Sequence, residues 1–277
     1  MPMVETTYSL DVPVSVALLA DLHGRPFDFV ISSLETHKPD LIAIAGDIVY
    51  GSHPTDDISP LRSQSHVLPF LSACSSLAPT FLSLGNHEWM LDAADLELIS
   101  STGVTVLDNS SQHIMMGNVR IVIGGLTSAY VLDYRRFVAE LDEPERARFR
   151  YPRKETAEGL NSRREADKHT PETAWLDAFA AESGYRILLS HHPEYWPLIR
   201  KYDVNLCLSA HAHGGQWRFY NPIHRHWQGV WAPGQYWFPR LTEGVHENRL
   251  VISRGLANTA SVPRLFNPTE VVYIVPK

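Results

Sequence analysis

Cysteine is nearly missing: the chain has two in 277 residues, Cys74 and Cys207. Two thiols cannot build a disulfide framework or a thiolate metal site, and both lie in apolar segments where they read as small core residues. No apolar run approaches the roughly 18 residues that a membrane span needs. The N-terminus shows no basic stretch followed by an apolar one, so a cytoplasmic location is expected. Positive charge is also scarce, with 24 Lys and Arg against 31 Asp and Glu and a formal net charge of −7. That balance argues against duplex nucleic acid as a partner, although one local cationic site can still attract a phosphoryl group. Repeats and low-complexity linkers are absent, so residues 1–277 are expected to form one domain.

What is present has a regular grain. Short apolar runs recur at Val14–Ala20, Leu41–Ala45, Thr80–Leu84, Gly103–Leu107, Val119–Gly124, Arg186–Ser190, Val204–Ser209, Arg249–Ser253 and Val271–Val275. Each is strand length, and most end in Gly, Asp, Asn or His. Helical segments alternate with the early runs: Phe27–His37, Leu91–Ser101 and Glu172–Glu182, the last with Thr170 as N-cap and Pro171 in the first turn. Strands alternating with helices predict an α/β fold with covered sheets. Between Tyr130 and Thr170 ten basic and nine acidic residues crowd together. This reads as a charged helical insertion over the core, or as a cap whose Arg146, Arg148, Arg150, Arg153, Arg163 and Arg164 meet an anionic substrate.

The chemistry gathers where the strands end. The first run ends in Asp21-Leu-His23, the second in Gly46-Asp47 and the third in Gly85-Asn86-His87-Glu88. Later runs end in His191-His192-Pro193 and in His211-Ala-His213. Residues i and i+2 of an extended chain point the same way, so each Asp-x-His or His-x-His pair can face one ion. Sites in open α/β sheets form beyond the carboxyl ends of strands, where these residues stand. Any one motif alone reads as turn chemistry; five in series point to a metal site.

This series, completed by His211-Ala-His-Gly-Gly-Gln216, resembles the calcineurin-like metallophosphoesterase superfamily. Ser253-Arg-Gly-Leu256 and Val262-Pro-Arg-Leu-Phe266 resemble its YkuE-type branch. Ala210 stands where that branch usually has Gly, and Pro268-Thr-Glu270 where it has Pro-Pro-Glu. The resemblance spans Asp21 to Glu270 and implies a four-layer α/β/β/α sandwich holding two divalent metal ions, with Mn first and Fe or Zn as alternatives. It implies that Asp21, His23 and His213 bind one ion, that Asn86, His191 and His211 bind the other, and that Asp47 bridges both. It assigns His87 to the phosphate and the leaving oxygen. Glu88 is expected behind the ligands, orienting an imidazole, and His192 either behind them or at the surface.

The implied reaction is phosphoester hydrolysis by a metal-bridging hydroxide, acting on a small-molecule, nucleotide or lipid-linked substrate. Protein phosphatases of this superfamily continue the second motif as Gly-Asp-x-x-Asp-Arg; here it reads Gly46-Asp-Ile-Val-Tyr-Gly51, so a phosphodiester is favoured. A broad phosphomonoesterase and a non-catalytic, protein-binding scaffold of the same fold are the alternatives. After the His pair, Trp217, Phe219, Tyr220, Trp227, Trp231, Tyr236, Trp237 and Phe238 fall within about twenty residues. They read as the packed interior of a long loop, or else as an aromatic wall beside the metals. His224 and His226 read as surface residues.

Overall fold

The computed structural model describes residues 3–50, 59–140, 170–223, 225–258 and 262–277, without the side chains of 137 and 138. Among these, two six-stranded sheets form the frame. The first contains β1 (Val4–Leu10), β2 (Val16–Leu19), β3 (Leu41–Ile44), β4 (Thr80–Ser83), β5 (Thr105–Leu107) and β16 (Glu270–Pro276), in the order β1-β16-β2-β3-β4-β5. The second contains β6 (Ser110–Met116), β7 (Val119–Leu126), β8 (Tyr185–Ser190), β9 (Leu206–Ser209), β14 (Gly244–His246) and β15 (Leu250–Ile252), in the order β14-β15-β9-β8-β7-β6. Parallel pairing dominates: β2 through β5 run parallel, as do β7, β8, β9 and β15.

Alternation along the strands produces four layers. Val16 and Leu18 of β2 join Ala43, Phe81, Ile123, Leu189, Leu208 and Val251 in a core between the sheets. The intervening Ala17 and Leu19 point the other way and meet α1 (Asp28–His37), α3 (Val67–Leu77) and α4 (Ala93–Ser101) through Leu34, Phe70 and Ile99. On the far side, Val122, Leu188, Cys207 and Ile252 meet Phe179 of α6 (Leu176–Ala181) and Ile199 of α7 (Trp196–Ile199). Successive residues of a strand face opposite sides, so a strand buried on both faces is apolar throughout. Helix on sheet on sheet on helix is the expected sandwich. The short α2 (Pro60–Ser63) is capped by the Ser59 hydroxyl.

Some details differ from the sequence expectations. The helix expected over 172–182 starts only at Leu176, and Thr170 does not cap it. The Thr173 carbonyl is taken by Leu176 N and the Tyr202 hydroxyl, which holds the preceding residues in a turn. Of the charged segment, Ala129–Glu140 is a helix, α5. The remainder, including the six arginines of the expected cap, lies outside the described residues, as does His224. Cys74 and Cys207 are buried and unpaired with each other. Among the described residues, no helix is long and apolar enough to cross a membrane.

Candidate metal centre

The carboxyl ends of β2, β3 and β4 in one sheet, and of β8 and β9 in the other, open at the same edge of the sandwich. Asp21 and His23 follow β2, Asp47 follows β3, Asn86 and His87 follow β4, His191 follows β8, and His211 and His213 follow β9. A backbone ladder ties the first two exits together: Asp21 N donates to Gly46 O at 3.1 Å and His23 N to Asp47 O at 3.1 Å. Five of these side chains spring from left-handed backbone, with φ of 55° at Asp21, 48° at His23, 55° at Asp47, 59° at His211 and 46° at His213. Such conformations cost non-glycine residues energy and concentrate at working sites.

The side chains converge. Oδ1 of Asp21 lies 3.7, 3.8 and 3.9 Å from Nε2 of His23, His213 and His191. Oδ2 of Asp47 lies 3.1 Å from Nε2 of His191 and 3.9 Å from Nε2 of both His23 and His87. Two sets of donors therefore fall within metal-binding reach of each other, Asp21–His23–His213 and Asp47–His191–His211. Two more overlap them, His23–Asp47–His87 and His192–Glu194–His211. Burial alone would raise the Asp21 and Asp47 carboxyls, but the surrounding imidazoles hold both well below the usual carboxylate range.

Whether cations fit can be asked of the polar atoms left over. Both oxygens of Asp21, Nε2 of His23, Oδ1 of Asn86 and Nε2 of His191 are buried with no hydrogen-bond partner among the described residues. Orphaned buried donors and acceptors are rare because each forfeits its hydration. Here five such atoms belong to four neighbouring side chains, and all are atom types that bind metal. The residues fit a pair of cations.

Outer contacts prepare some rings for that role. The His191 Nδ1–H donates to Ala45 O at 2.6 Å and that of His23 to Val49 O at 3.3 Å, which turns each Nε2 inward. Against the effect of burial, Asp47 and Asp21 raise both rings, His191 to about 10, so a cation entering there takes the place of a proton. His213 is held differently. Nη2 of the buried Arg264 lies 2.8 Å from its Nδ1, and only the guanidinium can donate in that pair. Burial and the nearby Arg264 push His213 down to about 3 despite Asp21. A neutral ring held this way carries its proton on Nε2, so His213 is the least prepared of these imidazoles.

The residues behind the cluster do more than the sequence suggested. Glu88 does not orient an imidazole. Its carboxylate accepts from the backbone N–H of Gly85 (2.7 Å), Asp47 (2.8 Å), Ile48 (2.8 Å) and Val49 (3.3 Å), knitting two strand exits together. Burial pushes its carboxyl up to about 7, against the pull of those amides. His192 is buried rather than at the surface, between the Ser128 hydroxyl at 2.8 Å and Glu194 Oε1 at 3.1 Å. Glu194 also lies 3.8 Å from His211 Nε2. The segments after β15 close the back: a side chain on Gly255 would overlap Asp21 Oδ2, and Glu270 binds Arg254. The Val262–Phe266 motif contained Arg264 without giving it a role, and no motif pointed to Glu194.

A cleft of ≈ 250 Å³ opens onto the cluster, lined by Asp47, Asn86, His87, His211 and His213 together with Tyr50 and Trp231. The His87 ring stands at its mouth, stacked on Tyr50 at 5.6 Å and edge-on to His23 at 4.7 Å. Its backbone N–H donates to Asp47 Oδ1. Burial pushes its ring down to about 4, which leaves it neutral at pH 7. The aromatic residues that follow are not a packed interior. All eight are exposed, from 38 % for Trp217 to 66 % for Trp237. Six of them sit on two short antiparallel ribbons, β10 (Arg218–Asn221) with β11 (His226–Gly229) and β12 (Trp231–Ala232) with β13 (Tyr236–Trp237), and Trp217 and Phe238 flank these. A two-stranded ribbon has no second layer to bury its side chains.

Fold and donor set together define an α/β/β/α scaffold with a candidate site for two cations at one end of its sheets. The chain belongs to the calcineurin-like phosphoesterase family, whose model matches residues 14–215. It is 26% identical to Phosphodiesterase YaeI of Escherichia coli over 217 residues, covering 74% of this chain and 63% of that one. It is also 26% identical to the uncharacterized metallophosphoesterase YkuE of Bacillus subtilis over 248 residues, covering 87% and 69%. A dimetal phosphatase from Danio rerio is a structural neighbour at TM-score 0.38 and 14% identity, covering 75% of this chain and 84% of that one. The chain spans less than two thirds of the length of the first curated relatives it matches, 48%, 60% and 63%.

Proposed function

We propose that this chain hydrolyses phosphodiesters with two divalent cations, one held by Asp21, His23 and His213 and the other by Asn86, His191 and His211, with Asp47 shared. The observation that carries this reading is the set of orphaned inward atoms on Asp21, His23, Asn86 and His191. Two such cations, when bound, polarise a phosphoryl group and lower the pKa of water enough to make it a nucleophile near neutral pH. Mixed imidazole and oxygen donors suit Mn, Fe or Zn, and Mn is our choice.

The chain's own residues supply the rest. Asp47 presents its Oδ2 to imidazoles of both groups and accepts the His87 N–H on its Oδ1, so it can serve both sites without turning. Asn86 contributes a neutral oxygen, which leaves its site more positive and better able to bind an anion. A neutral His87 ring at the cleft mouth can donate an N–H to a phosphoryl or departing oxygen. Tyr50 fixes the plane of that ring.

Three things favour a diester: the missing arginine of the protein-phosphatase motif, the aromatic wall at Trp231, and the name that YaeI carries. The substrate is a small-molecule, nucleotide or lipid-linked ester. Free buried thiols agree with a reducing, cytoplasmic setting. The test is a panel of chromogenic phosphomonoesters and phosphodiesters on metal-stripped protein with Mn, Fe or Zn restored. Diester hydrolysis that appears only with metal is expected. Hydrolysis without metal would end the proposal, and a clear monoester preference would replace its substrate class.

A further inference from the structure

The aromatic ribbons have no part in the imidazole cluster apart from Trp231 at the cleft wall. Large apolar side chains left in water forfeit their burial energy, and a connected group of them marks a contact surface. These are connected. Trp227 stacks on Phe266 at 6.0 Å, Tyr220 meets Trp227 edge-on at 5.9 Å, and Trp217 bridges to Leu265. Val230 links the two ribbons, its N–H donating to Trp217 O at 2.8 Å and its carbonyl accepting from Phe238 N–H at 2.8 Å. Tyr236, Phe238 and Phe266 are held at φ of 59°, 55° and 52°, strain that an exposed ring does not repay by packing.

Charge and side-chain type choose among occupants. The chain carries −7 overall, yet residues 217–242 contain three arginines and no Asp or Glu. Arg218 is buried against Glu243, which leaves Arg225 and Arg240 exposed. A symmetric contact with a second copy would set those cations against themselves. Single-stranded nucleic acid would use the rings but not the aliphatic members. Ile223, at the tip between β10 and β11, is 83 % exposed, and Leu265 is 50 % exposed. Rings, aliphatic tips and unopposed arginines together match the headgroup boundary of an anionic bilayer.

We propose that the two ribbons and the 262–266 loop dock the protein on an anionic phospholipid surface. Ile223, Trp237 and Phe238 enter the acyl boundary, and Arg225 and Arg240 meet lipid phosphates. Because Trp231 lines the cleft, docking brings that cleft to a surface rich in phosphoesters. The link to a lipid-borne substrate rests on the function proposed above; the docking does not.

The experiment is flotation of the metal-loaded protein with vesicles of phosphatidylcholine alone or with about 30 % phosphatidylglycerol. Binding to the anionic vesicles, reversed by salt, is expected. Trp237→Ala with Phe238→Ala should lower partitioning by about tenfold or more. Arg225→Gln and Arg240→Gln should each lower it by roughly fivefold. Melting temperature and metal content should match the wild type in each variant, with Ile223→Glu as an independent check at the ribbon tip. Absence of binding at low salt, or binding indifferent to these variants, overturns the proposal. So does sedimentation as a dimer that the Trp237/Phe238 variant abolishes, or oligonucleotide binding in place of vesicle binding. Flotation needs no turnover, so docking can fail while hydrolysis stands, and the reverse.

Discussion

Four backbone amides converge on the Glu88 carboxylate, from the exits of β3 and β4. Glu88→Ala would strand those donors in a buried place, and a loss of about 3 kcal/mol or more in urea unfolding is expected. An unchanged midpoint would mean that water replaces the carboxylate. His87 lies at the other extreme, touching the cleft and carrying little of the fold. His87→Ala should keep wild-type metal content by elemental analysis while turnover falls ~10²-fold. Equal turnover would remove the ring from the reaction. At this scale the sequence was readable where a residue's neighbours in the chain are also its neighbours in space, as in Asp21-Leu-His23. It was opaque for the contact of Arg264, which stands in the Val262–Phe266 motif but reaches His213 from 51 positions away. Glu88 was noticed but given the wrong contact, because a carboxylate that binds main chain leaves no motif.

At the scale of elements, the exits of the strands are shaped by glycines. Gly255, at φ +78°, lies so close to Asp21 that an added Cβ would overlap its carboxylate. Gly255→Ala should cost about 1–2 kcal/mol from the backbone alone, and should also weaken metal uptake, read by titration of the stripped protein. A melting curve and metal isotherm like the wild type would refute the close approach. The central strands were legible because burial on both faces makes them apolar throughout. The edge strands β1 and β6 were not, since half-exposed VETTYSL and SSQHIMM look like loop. The aromatic ribbons were half legible: composition admits either a packed interior or an exposed wall, and the backbone there, with no second layer, selects the wall.

For the molecule as a whole, buried Asp21 and Asp47 place like charges beside each other, and cations are the natural counterweight. A ligand that binds only the folded state stabilises it by mass action, about 2.7 kcal/mol at a hundredfold excess over the dissociation constant. Chelation should therefore lower the melting temperature, and Mn should restore it. The restoration should shrink as pH falls, because a ring protonated on both nitrogens has no lone pair to offer. A melting temperature indifferent to chelator would argue against any cation in the cluster.

The placement of β16 bears on how the chain is made. It lies between β1 and β2, parallel to the first and antiparallel to the second, although some 250 residues separate it from both. On the ribosome, the opening strands must wait with a gap in their sheet until positions 270–276 emerge. The second sheet has its parallel members complete by Ile252 and can settle earlier. Nascent chains stalled before β16 has emerged should therefore recruit chaperones and fall to protease within the strands of the first sheet, while the second sheet is already protected.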